Sequence, residues 1–166
     1  MKPKFQQLYM DVARRVSDLS HARRLQVGCI VVKEDRIISM GYNGMPAGWD
    51  NNCEYEDGYW DAVYQEEMKW VKTGKLKSNP EVLHAETNAI AKLARSSESG
   101  LDSDLFVTHS PCLDCAKLIY QSGIRRVYFG TSYRDNSGVD FLRKSGVDVV
   151  QLDNNQEENN GQTATA

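Results

Sequence analysis

The chain has 166 residues, 40% of them hydrophobic and 26% charged, a length suited to one domain with a real core and a composition that excludes collagen-like, coiled-coil and wholly disordered classes. Its 20 Lys and Arg against 23 Asp and Glu leave a net charge of −3, without the basic excess that binding a long nucleic acid demands. No apolar run approaches the ~20 residues that cross a bilayer, and Met1-Lys2-Pro3-Lys4-Phe5 leads into an amphipathic pattern and not a signal-peptide core, so a cytoplasmic protein with no membrane partner is expected.

Phe5, Leu8, Tyr9, Val12, Val16 and Leu19 recur at helical spacing and predict an amphipathic helix ending near Ser20. The β-branched runs Val27 to Lys33 and Arg36 to Tyr42, parted by Glu34 and Asp35, predict a hairpin. All three tryptophans lie in an aromatic insertion at about 49–80, where Trp60, Val63, Tyr64 and Val71 are spaced for a helix. A further helix is expected just after Pro80, carrying Leu83, Ile90 and Leu93 inward and stopping in the Ser96 to Gly100 region. Then follow a strand at Leu105 to Thr108, a helix from Pro111 to about Gln121, a strand at Val127 to Gly130, a helix from about Ser137 to Lys144 and a strand at Val147 to Leu152. This alternation predicts an α/β fold, a three-layer α/β/α sandwich on a five-stranded mixed sheet, in a single domain over 1–152. The Asn, Gln and Glu of the tail, 153–166, carry no apolar pattern and are expected to be disordered.

Four cysteines, at 29, 53, 112 and 115, stand in a chain whose size does not call for disulfides, so metal or redox chemistry is the expected use. His84-Ala85-Glu86 opens one predicted helix and Pro111-Cys112-Leu113-Asp114-Cys115 opens another. Cys112 and Cys115, three residues apart on one helical face, can present both sulfurs to one zinc ion, with His84 supplying a nitrogen. Pro111 at the first helical position and the positive helix end both suit thiolates. Three protein ligands leave a fourth position for water, the mark of a catalytic zinc. Two thiolates cancel the charge of the dication, so a carboxylate is needed to take the proton of that water, and Glu86 is the candidate. A closed structural site completed by Cys53, Cys29, His21 or His109, and a redox Cys-x-x-Cys, remain as alternatives.

His84-Ala85-Glu86 with Pro111-Cys112-x-x-Cys115 resembles the signature of zinc-dependent nucleotide deaminases. Within that superfamily Gly41-Tyr42-Asn43-Gly44-Met45-Pro46-Ala47-Gly48, the run from His84 to Ile90 and the block from Cys115 to Ile124 resemble deoxycytidylate (dCMP) deaminases, over roughly residues 5 to 152. The resemblance implies a cytidine-deaminase-like fold, one Zn2+ per chain, hydrolysis of dCMP to dUMP and ammonia with Glu86 carrying every proton, and homohexamers activated by dCTP and inhibited by dTTP with Mg2+. It also implies Asn43 at the sugar hydroxyl, Arg24 at the 5′-phosphate, Ser110 offering backbone groups to the amino group of the base, and Tyr133 beside the substrate. Asn43, Arg24 and Tyr133 also have plainer readings: a tight Asn-Gly turn, a solvated charge beside Arg23, and a half-buried core tyrosine. His109 reads better as a packing histidine, and Cys29 as a buried strand residue. Phage members of the family with a second, structural zinc use positions that hold Ala22 and Asn52 here, and the insertion has no histidine, so a single zinc is expected despite Cys53.

For regulation, the expected triphosphate contacts are the loop Asn43, Gly44, Met45, Pro46, Ala47 and Gly48, with its backbone N–H groups, and Arg95. On a continuous helix Arg95 would lie about three turns and ~16 Å from His84, where it meets either an effector or neighbouring subunit or only the helix C-terminus. Two alternatives to the dCMP reading are a zinc-stabilised nucleotide-binding sensor without turnover and a deaminase of another cytidine nucleotide such as dCTP.

Overall fold

A computed structural model describes residues 1–65, 67–133 and 135–152, and the side chains of residues 59–73 are not part of that description. The tail expected to be disordered, 153–166, therefore lies outside the described residues.

The chain runs α1 (Pro3–Ser17), β1 (Gly28–Lys33), β2 (Arg36–Tyr42), β3 (Glu54–Gln65), β4 (Glu67–Ser78), α2 (Ala85–Leu93), β5 (Asp104–His109), α3 (Leu113–Gln121), β6 (Arg126–Thr131), α4 (Ser137–Lys144) and β7 (Asp148–Gln151). Five strands form one sheet in the order β2-β1-β5-β6-β7. Its first three strands are antiparallel neighbours, and β5, β6 and β7 run parallel. The two faces separate by residue parity, as the pleat requires. Ile30, Val32, Phe106 and Tyr128 pack on Tyr9, Met10, Ala13 and Val16 of α1. Cys29, Val31, Leu105, Val107, Val127 and Phe129 face Ala85, Ala89 and Leu93 of α2, Ala116 and Ile119 of α3, and Val139 and Leu142 of α4. This is the expected α/β/α sandwich on a five-stranded mixed sheet.

Three expectations change. The predicted helix in the insertion is an antiparallel hairpin, with β3 paired to β4 from Glu54↔Ser78 to Gln65↔Glu67. The aromatic and β-branched residues that fit a helical face also suit strands, while Gly58 and Gly74, which face each other in the register, weaken a helix by ~1 kcal/mol each. Lys77 and Asp57 form an ion pair across the two strands. Second, α1 stops at Ser17, and Leu8 and Leu19 are exposed instead of joining the buried face. Third, the helix after Pro80 starts only at Ala85. Leu83 is tied into a bridge with Gly44, by N–H to O distances of 3.1 and 2.9 Å, which holds it extended and leaves its side chain exposed.

The helix α2 lies unusually close to β2 at Gly41. A Cβ there would collide with the Ala85 carbonyl oxygen and sit 2.5 Å from the Ala89 nitrogen, so only hydrogen fits. Gly41→Ala should destabilise the fold by about 1–3 kcal/mol in urea denaturation, because the obstacle is helix backbone that cannot rotate away. A loss under 0.5 kcal/mol would mean that α2 retreats freely.

Candidate active site

Both ends of the His/Cys/Cys set sit at helix starts. His84 is the N-cap of α2, extended at φ −75° and ψ 153°, and its carbonyl accepts the Asn88 N–H at 2.9 Å. Cys112 is the N-cap of α3, with φ −70° and ψ 169°, and its carbonyl accepts the Ala116 N–H at 2.9 Å. Pro111 thus precedes the N-cap and does not occupy the first helical position, a one-residue correction that leaves Cys115 in the first turn of α3. Another close approach seats this start: a side chain at Gly138 would strike the Pro111 carbonyl oxygen and the Cys112 backbone.

His84 Nδ1 lies 3.6 Å from Cys112 Sγ and 3.3 Å from Cys115 Sγ. All three donor atoms lie within 4.8 Å of one another, the one such group among the described residues. In a tetrahedral site with Zn–S near 2.3 Å and Zn–N near 2.05 Å, nitrogen and sulfur are about 3.5 Å apart, so both nitrogen–sulfur separations here suit zinc. The donor chemistry fits too. The Cys112 thiol, hydrogen-bonded by Cys115 and then by His84, is pushed down to about 4 and is a thiolate at neutral pH. The hydrogen bond with Cys112 and burial push Cys115 far upward, so it keeps its proton in the metal-free chain. The His84 imidazole is held above its ordinary value, first by its hydrogen bond with Cys112.

Glu86, in the first turn of α2, is buried. Burial raises its carboxyl above the usual range, against the lowering effects of its own backbone N–H and of His84. Beside it, burial and then the Glu86 charge push the Cys29 thiol well up, so Cys29 is the neutral strand residue expected from the sequence.

His84, Glu86 and Cys112 line a cavity of about 300 Å3, together with Arg24, Asn43, His109, Ser110 and Tyr133. Asn43 spends its amide on the backbone: Oδ1 accepts the Val27 N–H at 2.8 Å and Nδ2 donates to the Leu25 carbonyl at 2.8 Å. Ser110 is buried, and its Oγ accepts the N–H of the half-exposed Tyr133 at 2.7 Å. His109 faces the cavity with Nδ1 3.1 Å from Thr108 Oγ1, and burial lowers its pKa. Gly44 to Gly48 lie outside the lining. Arg95 is exposed in the turn beyond α2, which is two and a half turns long and not three.

Sequence reasoning missed much of the rest of the lining, built from Ala22, Leu25, Cys53, Glu54, Ser78, Asn79 and Val82. Cys53 is buried there, with the Met45 N–H on its sulfur. The buried Glu54 carboxylate receives the N–H groups of Arg23 and Arg24. A lone Glu near the start of the aromatic insertion carries no sequence signal for such a place.

The family model described as "Cytidine and deoxycytidylate deaminase zinc-binding region" matches residues 3–131. The chain belongs to the cytidine and deoxycytidylate deaminase family. It is thus a zinc-binding deaminase, and the His84, Cys112 and Cys115 triangle is where this family member can hold the metal. Among its relatives, the deoxycytidylate deaminase of Enterobacteria phage T4 is 35% identical over 168 aligned positions, 86% of this chain and 87% of the relative. The human deoxycytidylate deaminase is 37% identical over 133 positions, 77% of this chain and 66% of the relative. A crystal structure of the dCMP deaminase of cyanophage S-TIM5, in complex with dCMP and dUMP, superposes with a TM-score of 0.79 at 43% identity, over 92% of this chain and 99% of that one.

Zinc uptake by this deaminase should release protons. With Cys112 already ionised, zinc binding at pH 7 should free about one proton from Cys115, plus whatever His84 holds, and affinity should fall as pH is lowered. Calorimetry in buffers of different ionisation enthalpy reads this number, and zinc binding without proton release would contradict the thiol–thiolate pair.

Proposed function

We propose that the chain converts dCMP and water to dUMP and ammonia, with residues 1–152 acting as one deaminase domain in the cytoplasm. The observation that carries this reading is a buried carboxylate, Glu86, beside a zinc-compatible triangle at the end of a cavity that also reaches an arginine. The likeness to a structure holding dCMP and dUMP supports the choice of nucleotide.

When bound at His84, Cys112 and Cys115, one zinc supplies the Lewis acidity that makes water nucleophilic near neutral pH. The rest falls to side chains. The Glu86 carboxylate takes a proton from the attacking water, passes it to N3 of the pyrimidine, and then carries the second proton to the departing amino nitrogen. Its raised pKa suits a group that must both accept and return a proton. Ser110 offers backbone groups to that amino nitrogen, and Tyr133 packs beside the base. Asn43, near the sugar, holds Leu25 and Val27 in place. Arg24, in the same lining, meets the 5′-phosphate.

Regulation belongs to the same reading: homohexamers switched on by dCTP and off by dTTP with Mg2+, through the loop Asn43 to Gly48 and Arg95. The Gly44–Leu83 bridge supports it, because a loop displaced by a triphosphate would pull directly on the residue before His84.

Glu86→Gln should lower turnover at least about a hundredfold, followed by ultraviolet absorbance as dCMP becomes dUMP, while zinc content stays at the wild-type level. Cys112→Ser should lose the metal. Equal zinc loss in Glu86→Gln would remove its proposed role, and no turnover of dCMP, dCTP or cytidine by the wild type would favour a sensor. In turnover against dCTP and dTTP, Arg95→Ala should blunt both responses. A wild-type hyperbola that neither triphosphate alters would end the regulatory reading.

A further inference from the structure

This inference rests on Arg24 as the phosphate contact. We propose that the first rung of the β3–β4 hairpin, Glu54 paired with Ser78, is a positioning device that makes Arg24 selective for a phosphate monoester. The rung meets Arg24 twice. Glu54 Oε1 accepts the backbone N–H of Arg24 at 3.1 Å and that of Arg23 at 3.0 Å, and Ser78 Oγ accepts from Arg24 Nη1 at 3.1 Å. One residue thus sets the main chain of Arg24 and its register partner sets the guanidinium.

The charges are sorted as selectivity requires. The Glu54 side chain is 2% exposed, and removing a carboxylate from water costs several kcal/mol unless donors surround it. Here the two backbone N–H groups donate to it, and the Arg23 guanidinium, whose Nε lies 3.7 Å from Oε2, adds an ion pair. A hairpin needs no buried carboxylate at its base, so its cost calls for another reason. Two successive backbone N–H groups turned the same way form a concavity that draws anions. Glu54 fills it and offsets Arg23, which does not line the cavity, and the Arg24 side chain is left as the cation facing a phosphate. With one of its five N–H donors held by Ser78, the guanidinium keeps the others for a bidentate contact. The rung is itself pinned, since the Asn79 N–H donates to the Cys53 carbonyl at 2.8 Å and Asn79 Nδ2 to the Asn52 carbonyl at 2.6 Å.

The test measures kcat and KM of the zinc-loaded full chain with dCMP and with deoxycytidine. It compares wild type, Glu54→Gln, Ser78→Ala, Arg24→Ala and the Arg24→Ala/Glu54→Gln double variant. Glu54→Gln should lower the ratio of kcat/KM for dCMP over deoxycytidine about tenfold, through KM and not kcat, and Ser78→Ala should lower it about threefold. In the Arg24→Ala background, Glu54→Gln should leave the ratio where Arg24→Ala put it. Calorimetric affinity for dUMP over deoxyuridine should fall in parallel. A wild-type ratio in Glu54→Gln, a proportional loss of both substrates, or additivity in the double variant overturns the proposal. If Glu54→Gln does not fold, Ser78→Ala decides, and a wild-type ratio there overturns it. A wild type without preference for dCMP, or an Arg24→Ala variant that keeps the preference, overturns instead the phosphate role on which the rung depends.

Discussion

Two backbone hydrogen bonds between Gly44 and Leu83 set the geometry from which the site follows. With its N–H and carbonyl both tied across to the loop after β2, Leu83 cannot enter a helix, and the turn begins one residue later. His84 therefore takes the N-cap, and Glu86 falls in a first turn that Gly41 lets press against the sheet. Had the helix begun after Pro80, His84 would stand inside it, with its backbone bonded to the preceding turn and its ring on a helix flank. The loop that supplies Gly44 also supplies Asn43, whose amide fixes Leu25 and Val27. One short segment thus braces both ends of the cavity.

Proton sharing explains why such a site tolerates its own charge. Buried Cys115 and Glu86 crowd against the half-buried Cys112, and without metal the three cannot all ionise. The chain keeps one thiolate and one thiol, and the Cys115 proton lies in hydrogen bonds with Cys112 and Glu86. Holding zinc on both sulfurs would require that proton to leave, and the Glu86 carboxylate would then no longer be needed as a partner of the thiol. Cys29, below Glu86 and wholly buried, adds no charge, because its thiol is held neutral.

The sheet, the core and the metal corner were legible in the sequence because each rests on local pattern. Parity along β1 and β5 separates the two faces, and the spacings His84 to Glu86 and Cys112 to Cys115 act within single turns. The insertion was misread because Trp60, Val63, Tyr64 and Val71 satisfy a helical period while their residue types favour strands, and what decides is the cross-strand pairing that runs from Glu54↔Ser78 to Gln65↔Glu67. Glu54 and Ser78 lie outside the Trp60 to Val71 run and were hidden because only the long-range pairing brings them together. Each is an ordinary polar residue until the register sets them side by side against Arg24. The start of α2 was misjudged for a related reason, since Pro80 is a good helix-start signal and only the distant Gly44 overrides it.

The two ends of the cavity draw on different kinds of structure. At the metal corner every group sits at a helix start, and close backbone contacts that leave little latitude hold α2 against β2 at Gly41 and the start of α3 against α4 at Gly138. At the opposite wall the groups come from the Ala22 to Leu25 segment and from the base of the hairpin, joined by side-chain hydrogen bonds and one buried carboxylate. A long excursion whose ends are pinned costs little extra entropy, since closure grows only as the logarithm of its length. The hairpin can therefore lengthen or change beyond its first rung without disturbing the wall, whereas any change to that rung reaches Arg24 directly. On the proposed reading, proton chemistry is anchored where the fold is least adjustable, and nucleotide selection is anchored in an insertion whose single fixed requirement is the rung formed by Glu54 and Ser78.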